Sequence, residues 1–307
     1  MKRVFIDGSA GTTGLRIRER LAARRDVELI ALPEALRKDS AARRDALNAA
    51  DIAFLCLPDA AAIEAVGLID NPDTAVIDTS TAHRTAGGWV YGFAELDGQR
   101  ARIAASKRVA NPGCHASGFI ALIAPLRQCG LLPADAALTC FSLTGYSGGG
   151  KKMIAQYRED DRSPLLSAPR QYGLGQSHKH LPEMQALCGL TRAPLFCPIV
   201  ADYFSGMEVS VPLYADQLLG TPAMVREAYR DLYAGPVIRF ADEADEDGFL
   251  SAGALSGRDS MEISVSGNDE RLVLTARFDN LGKGASGAAI QNMNILLGRD
   301  ECAGLVL

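Results

Sequence analysis

A surplus of positive charge is missing from this sequence: 32 lysines and arginines stand against 37 aspartates and glutamates, a net charge of −5. That excludes nucleic acid as the main partner, because phosphate backbones are held by an excess of cations. A local cationic pocket for a small anion stays open. Long apolar runs are missing too. The least charged stretch, Val109–Leu126, contains Asn111, Pro112, Gly113 and His115, so it does not read as a membrane span. The seven cysteines form no CxxC pair and keep no regular spacing, which reads as reduced thiols rather than a disulfide frame. The opening MKRVFIDGSAG lacks an apolar leader core. Cytoplasm is therefore the expected compartment. There is no Walker GxxxxGK[ST] loop and no Tyr-x-x-x-Lys pair, which argues against P-loop and short-chain dehydrogenase chemistry.

What remains is the balance of a soluble globular enzyme, 48% apolar and 22% charged, in 307 residues that suffice for two domains. The first third alternates two periods. Arg3–Asp7, Val27–Leu32, Ile52–Leu57 and Thr74–Ile77 read as strands. Thr12–Arg25, Ala41–Ala50 and Asp59–Ile69 read as the helices between them. This spacing predicts βαβ units and a doubly wound parallel sheet. After Gly113 the pattern changes: helix His115–Arg127, then strands Ala136–Thr144, Met207–Tyr214, Met261–Ser266 and Leu272–Phe278. The last two are joined by the hairpin turn Gly267-Asn268-Asp269. A mixed, largely antiparallel sheet is expected there. A helix over Gly284–Leu297 is expected to return to the first domain, and the acidic run Asp242–Asp247 to be a solvated loop.

Six clusters carry chemistry. Strand Arg3–Asp7 runs into Gly8-Ser9-Ala10-Gly11-Thr12-Thr13-Gly14 and a helix, the setting in which glycines and a helix N-terminus cradle a dinucleotide pyrophosphate. A tight βα turn is the bland alternative. At the end of the second strand, Arg37 and Lys38 can pair with a 2′-phosphate, favouring NADP, whereas Glu34 can serve as the ribose acid of an NAD enzyme. Cys114, in Asn111-Pro112-Gly113-Cys114-His115, is predicted at a helix start, where the positive end of the dipole stabilises a thiolate. A small buried residue at a helix start is the competing reading. His178-Lys179-His180 with Glu183 can supply an acid/base imidazole, with Glu183 orienting it. Metal is set aside, since no further His or Cys lies close in sequence to complete the ligands. Asp78–Arg84 (DTSTAHR) and Gly145–Lys151 (GYSGGGK) offer hydroxyls, backbone N–H groups and a guanidinium suited to anions. A nucleotide loop with one helix-start cysteine suggests thiolate attack on an activated acyl carbon, followed by hydride delivery to the thioester.

GSAGTTG, DTSTAHR, NPGCHA, GYSGGGK, HKHLPEM and DNLGKGASGAAIQNMN follow one another along most of the chain. In these motifs the sequence resembles the short-form N-acetyl-gamma-glutamyl-phosphate reductases of arginine biosynthesis. The resemblance implies a Rossmann-type NADP domain over residues 1–113 and 285–307, and an α+β catalytic and subunit-contact domain over 114–284. It implies NADPH reduction of a small acyl phosphate to its semialdehyde, in a homodimer or homotetramer. Cys114 would be the nucleophile and the His178/His180 pair the acid/base, with His180 preferred because Glu183 lies one turn beyond it. Arg84, Asn111 and Ser147 would contact the substrate, and Ser80, Gly284 and Asn292 the cofactor, beside the glycine loop. Two alternatives remain: a sister semialdehyde dehydrogenase (aspartate or N-acetyl-aminoadipyl type), and a non-catalytic NADPH sensor.

Overall fold

A computed structural model describes all 307 residues, which fall into two compact units: 1–112 with 285–305, and 113–284 with 306–307. In the first unit, strands β1 (Lys2–Asp7), β2 (Val27–Ile30), β3 (Ile52–Leu55), β4 (Ala75–Asp78), β5 (Val90–Tyr91) and β6 (Arg108–Ala110) form one sheet. Its order is β2-β1-β3-β4-β6-β5, and every pair is parallel. Helices α1 (Thr12–Ala22), α2 (Ser40–Ala49), α3 (Asp59–Gly67) and α4 (Gln99–Ala104) connect the strands. Alternate residues of each strand point to opposite faces. Val4, Ile6, Ile52, Phe54 and Ile77 face α1 and α4 through Ile17, Leu21 and Ile103. Phe5, Ala53, Leu55 and Val76 face α2 and α3 through Leu47, Ala62 and Ala65. With helices on both faces, strands such as Ile52–Leu55 are buried throughout, which is why they read as continuous apolar runs.

Chain order reverses about β1, since β2 lies on one side of it and β3 on the other. The loops at the carboxyl ends of the strands there form the crevice where open α/β sheets bind ligands. Several elements are shorter than their periodicity predicts. α1 stops at Ala22, and just beyond it the Arg24 guanidinium bonds Asp26, Asn294 and the Ala303 carbonyl. β2 pairs with β1 only as far as Ile30, and β3 ends one residue before Cys56.

The second unit opens with α5 (Cys114–Gln128), followed by β7 (Thr139–Gly145), α6 (Gly150–Arg158), β8 (Arg170–Gln171) and α7 (Leu181–Leu187). Then come β9 (Leu195–Ala201), β10 (Met207–Tyr214), α8 (Pro222–Leu232), β11 (Ile238–Phe240), β12 (Met261–Gly267) and β13 (Arg271–Phe278). Its mixed sheet runs β11-β12-β13-β10-β7-β9-β8, antiparallel except for the β7–β9 and β11–β12 pairs. α5 is buried from His115 to Leu126, as a helix apolar all round must be. Gly118 lets it lie flat, since a Cβ there would meet Val209 at 2.5 Å.

Pro125 sits inside α5 and has no N–H for the carbonyl four residues earlier, a loss of about 3 kcal/mol if unanswered. That carbonyl, Ala121 O, receives the Tyr233 hydroxyl at 2.7 Å, and the next one, Leu122 O, receives Tyr229. The helix continues because two phenols replace the missing donor.

The outer face of the same sheet stays open, with Phe141 41% and Leu195 62% exposed. In the acidic run, Glu246 is exposed but holds the buried Arg277 at 2.6 Å, so that loop is tied down as well as solvated. A π-helix (Gly282–Ser286) precedes α9 (Gly287–Leu296), so the regular part of the last helix begins later than expected. α9 packs its Ala289, Ile290 and Met293 into the first unit's core. Val306 belongs instead to the second unit, where Asp259 exchanges two hydrogen bonds with it.

Candidate functional site

In the first unit the glycine loop closes between β1 and α1. Gly8 has φ +83, and a Cβ on it would lie 2.3 Å from Cys56 O; a Cβ on Gly14 would lie 2.6 Å from Gly8 O. Both glycines are required by the protein's own packing. Gly11 is different. It has φ −71, and a Cβ there would meet nothing nearer than Gly8 O at 3.6 Å. The fold does not require a glycine at 11, whereas a phosphate approaching the backbone does. Gly11 also precedes the first turn of α1, which no side chain caps, leaving its donors directed at an incoming anion.

Beside this loop lies a cavity of about 670 Å³, lined by Asp7–Ala10, Leu29–Leu32, Glu34, Arg37 and Lys38. Both predicted cations are thus at the cavity, with Arg37 paired to Glu34 at 2.5 Å. Arg18 joins them from α1. Sequence reading missed it, although it stands one helical turn beyond Gly14. Arg43 was missed as well; it holds Asp7 at 3.0 Å and Glu64 at 2.8 Å, joining α2 to the end of β1. In α9, the Asn292 amide donates to Gly92 O and to Asn111 Oδ1, while its own Oδ1 is buried with no partner. A buried acceptor of this kind calls for a donor. The glycine at 11, the cations and this acceptor all fit a nicotinamide dinucleotide.

The loop after β4 is tightly internal. Ser80 donates its hydroxyl to Asp78 at 2.7 Å, so this predicted cofactor contact is engaged by its own loop. Arg84 is buried; its Nε donates to Asn111 O at 3.0 Å and its Nη2 to Thr79 O at 3.2 Å. Asn111, also buried, donates to Ala285 O at 3.0 Å.

In the second unit, Cys114 is the first residue of α5, after the N-cap Gly113. From Gly113 to Leu126 it is the only residue not buried. Glu183, itself buried, accepts a hydrogen bond from the Gly113 N–H at 3.2 Å, and so anchors the start of the cysteine helix. Gly284 leaves room here, because a Cβ on it would come within 2.9 Å of the Cys114 Cβ. Ser147 is buried and accepts from Asn280 Nδ2 at 2.9 Å.

The histidines do not form a surface turn. His180 is buried at the N-cap of α7, and its ring centroid lies 4.7 Å from that of His178. A third imidazole, unnoticed in the sequence, completes the group: His115 lies 5.6 Å from His178 and 5.5 Å from His180. It bonds Ser142 Oγ at 2.7 Å and the Tyr172 hydroxyl at 2.6 Å. Burial first, then the charges of His178 and Lys179, push His115 down to about 3. It is neutral near pH 7, and both of its ring nitrogens are already engaged. The Tyr172 phenol is pushed up by burial first and then by the Cys114 charge.

The depressed His115 pKa carries a stability prediction. Below pH 6.5 the unfolded chain takes up a proton that the folded His115 refuses, so stability present above that pH is lost as pH falls toward 3. Urea unfolding at pH 7.5 and 5.5 should show about 1.4 kcal/mol more loss in the native chain than in His115→Gln. Equal slopes would contradict the neutral buried imidazole.

The semialdehyde dehydrogenase NAD-binding domain model matches residues 3–105, and the semialdehyde dehydrogenase dimerisation domain model matches 114–280. The chain belongs to the semialdehyde dehydrogenase family. It is an oxidoreductase whose first unit is the family's nicotinamide-dinucleotide-binding domain. N-acetyl-gamma-glutamyl-phosphate reductase of Brucella anthropi is 50% identical, covering 97% of this chain and 99% of the relative. The protein of that name from Brucella canis is 48% identical over the same shares. The resemblance seen in the motifs is borne out. Among solved structures, aspartate semialdehyde dehydrogenase II of Vibrio cholerae, complexed with ASA, superimposes with a TM-score of 0.71 at 14% identity, covering 97% and 98% of the two chains. The Candida albicans enzyme with NADP gives 0.66 at 16% identity, covering 97% and 98%. The fold expectation, a Rossmann-type sheet plus a mixed-sheet domain, holds.

Proposed function

We propose that this enzyme reduces N-acetyl-L-gamma-glutamyl phosphate to N-acetyl-L-glutamate 5-semialdehyde and phosphate, with NADPH, in the cytoplasm as a step of arginine biosynthesis. The observation that carries the reading is Cys114: a partly exposed cysteine on the first residue of a helix buried from His115 to Leu126. Gly8, Ser9, Gly11, Thr12, Thr13 and Gly14 hold the pyrophosphate, and Arg18, Arg37 and Lys38 the 2′-phosphate. Asn292, whose buried Oδ1 has no partner, would help to hold the nicotinamide end. Bound NADPH supplies the hydride.

The chain's own residues do the rest. The α5 N-terminus favours the Cys114 thiolate. Its sulfur attacks the acyl carbon, the C–O bond to phosphate breaks, and a thioester is left on Cys114. As hydride is delivered to that carbon, His180 donates a proton to the oxygen and takes it back as the C–S bond breaks, which releases the aldehyde and the thiolate. Arg84 faces the substrate anion. Asn111, Ser147 and Ser80, each engaged with neighbours, shape the loops around it. Gly284 keeps the sulfur's flank clear. Glu183 holds Gly113 and so sets where the helix begins.

The open face of the second sheet carries Leu195, Phe141 and Leu143 beside Pro212 and Val273 on adjoining strands. An apolar surface of this kind suits a subunit contact, and a homodimer, or a tetramer built from it, is proposed.

The reaction is tested in reverse, as NADP reduction in phosphate buffer. N-acetylglutamate semialdehyde is expected to turn over at least about a hundredfold faster, as kcat/KM, than aspartate semialdehyde. The opposite ranking would make this a sister enzyme, and no turnover with either would leave a dinucleotide-binding protein.

A further inference from the structure

We propose that Asp78 and His83 form a positioning pair for Arg84, setting the affinity for the substrate's anionic group; this rests on Arg84 facing that anion. β4 ends on Asp78, whose side chain is wholly buried. Its Oδ1 accepts the Ser80 N–H at 2.9 Å, and its Oδ2 accepts the Ser80 hydroxyl at 2.7 Å and binds His83 Nδ1 at 2.6 Å. The His83 ring also lies flat on Trp89, with centroids 4.0 Å apart and planes at 15°. Trp89 is the only tryptophan in the chain.

A turn after a strand needs no such apparatus. The Asp78–Ser80 bonds already close an Asx-type turn, and the loop is pinned on its other side where Thr81 N donates to Asp59 at 2.9 Å. The His83 bond and stack add the immobilisation of one further residue, the one directly before Arg84. A buried carboxylate is costly unless it is fully bonded, so the bond between ring and carboxylate holds the imidazole firmly. From that fixed point the Arg84 guanidinium spans to Thr79 O and Asn111 O. The Asn111 N–H in turn donates to Asp78 O at 2.7 Å. Asp78 is thus tied to both ends of the segment that carries Arg84. Holding a guanidinium in one direction removes the entropy it would otherwise lose on meeting an anion.

The two ring nitrogens give the test. Asparagine can place an amide N–H where Nδ1 stands, glutamine places it near Nε2, and phenylalanine keeps only the stack. Kinetics are read in the reverse direction with N-acetylglutamate semialdehyde and inorganic phosphate, alongside NADPH binding by fluorescence. His83→Gln and His83→Phe are expected to raise KM for one of the two anions about tenfold, the worth of one charge-assisted hydrogen bond. kcat should change less than about threefold, and the NADPH Kd should be unaltered. His83→Asn should restore KM to near the native value. In an Arg84→Ala background, His83→Phe should add nothing further, because the pair acts only through that side chain.

Should His83→Phe fail to fold, the Asn and Gln variants decide alone. Asn behaving like Gln, or additive effects with Arg84→Ala, overturns the pair's role while leaving Arg84's intact. Arg84→Ala without effect on either KM overturns the reading of Arg84 itself.

Discussion

Cys114→Ser is expected to lower turnover by about four to six orders of magnitude, the range seen when a covalent nucleophile is removed, while NADPH binds as before. Oxygen and sulfur are close in size, so the start of α5 and its bond from Gly113 to Glu183 survive. The change is in acidity. A thiol at a helix start is readily ionised, whereas a hydroxyl there stays protonated and needs a base to attack. Phosphate release in a single turnover measures the first step directly. The native enzyme should release one equivalent per subunit ahead of aldehyde, and the serine variant none. The glycine loop belongs to the other unit, so NADPH fluorescence titration should give the same Kd for both. Activity within tenfold of native would leave no place for a thioester.

His180→Ala should cost about two to four orders of magnitude in kcat, the usual worth of a positioned acid/base group, and His178→Ala distinctly less. The two rings differ in how they are used. His178 Nδ1 already accepts the backbone N–H of His180 at 3.2 Å, so that nitrogen serves the turn. His180 is buried where α7 begins and lies against the neutral His115. His115 itself cannot take the role, because it is pushed down to about 3. The pH profile of kcat should lose one limb in His180→Ala and keep it in His178→Ala. A larger loss in His178→Ala would reverse the assignment within the pair.

Much of this was legible from residues alone, for reasons that are local. Strand Ile52–Leu55 and helix α5 announce themselves by continuous apolarity. The glycine loop is marked by glycines that backbone geometry demands at 8 and 14. Cys114 stands out through the Pro-Gly break before an apolar helix. Other features have no local signal. Nothing near Pro125 says that Tyr229 and Tyr233, over a hundred residues later, mend its helix. His115 is only a neighbour of Cys114 until Tyr172, Ser142 and the His178/His180 pair are packed around it. Nor does any local pattern show that Glu183, expected to orient an imidazole, also accepts the Gly113 N–H seventy residues back.

Periodicity, turn residues and motif spacing act over a few neighbours, so the alternation of elements, a cysteine at a helix start and the kinship with acyl-phosphate reductases could all be read locally. Which side chains are buried together is settled by packing: which imidazole is silenced, which carboxylate anchors the cysteine helix, and which cations share the cavity. Those outcomes depend on desolvation and hydrogen bonding between segments far apart in the chain, and no local pattern encodes them.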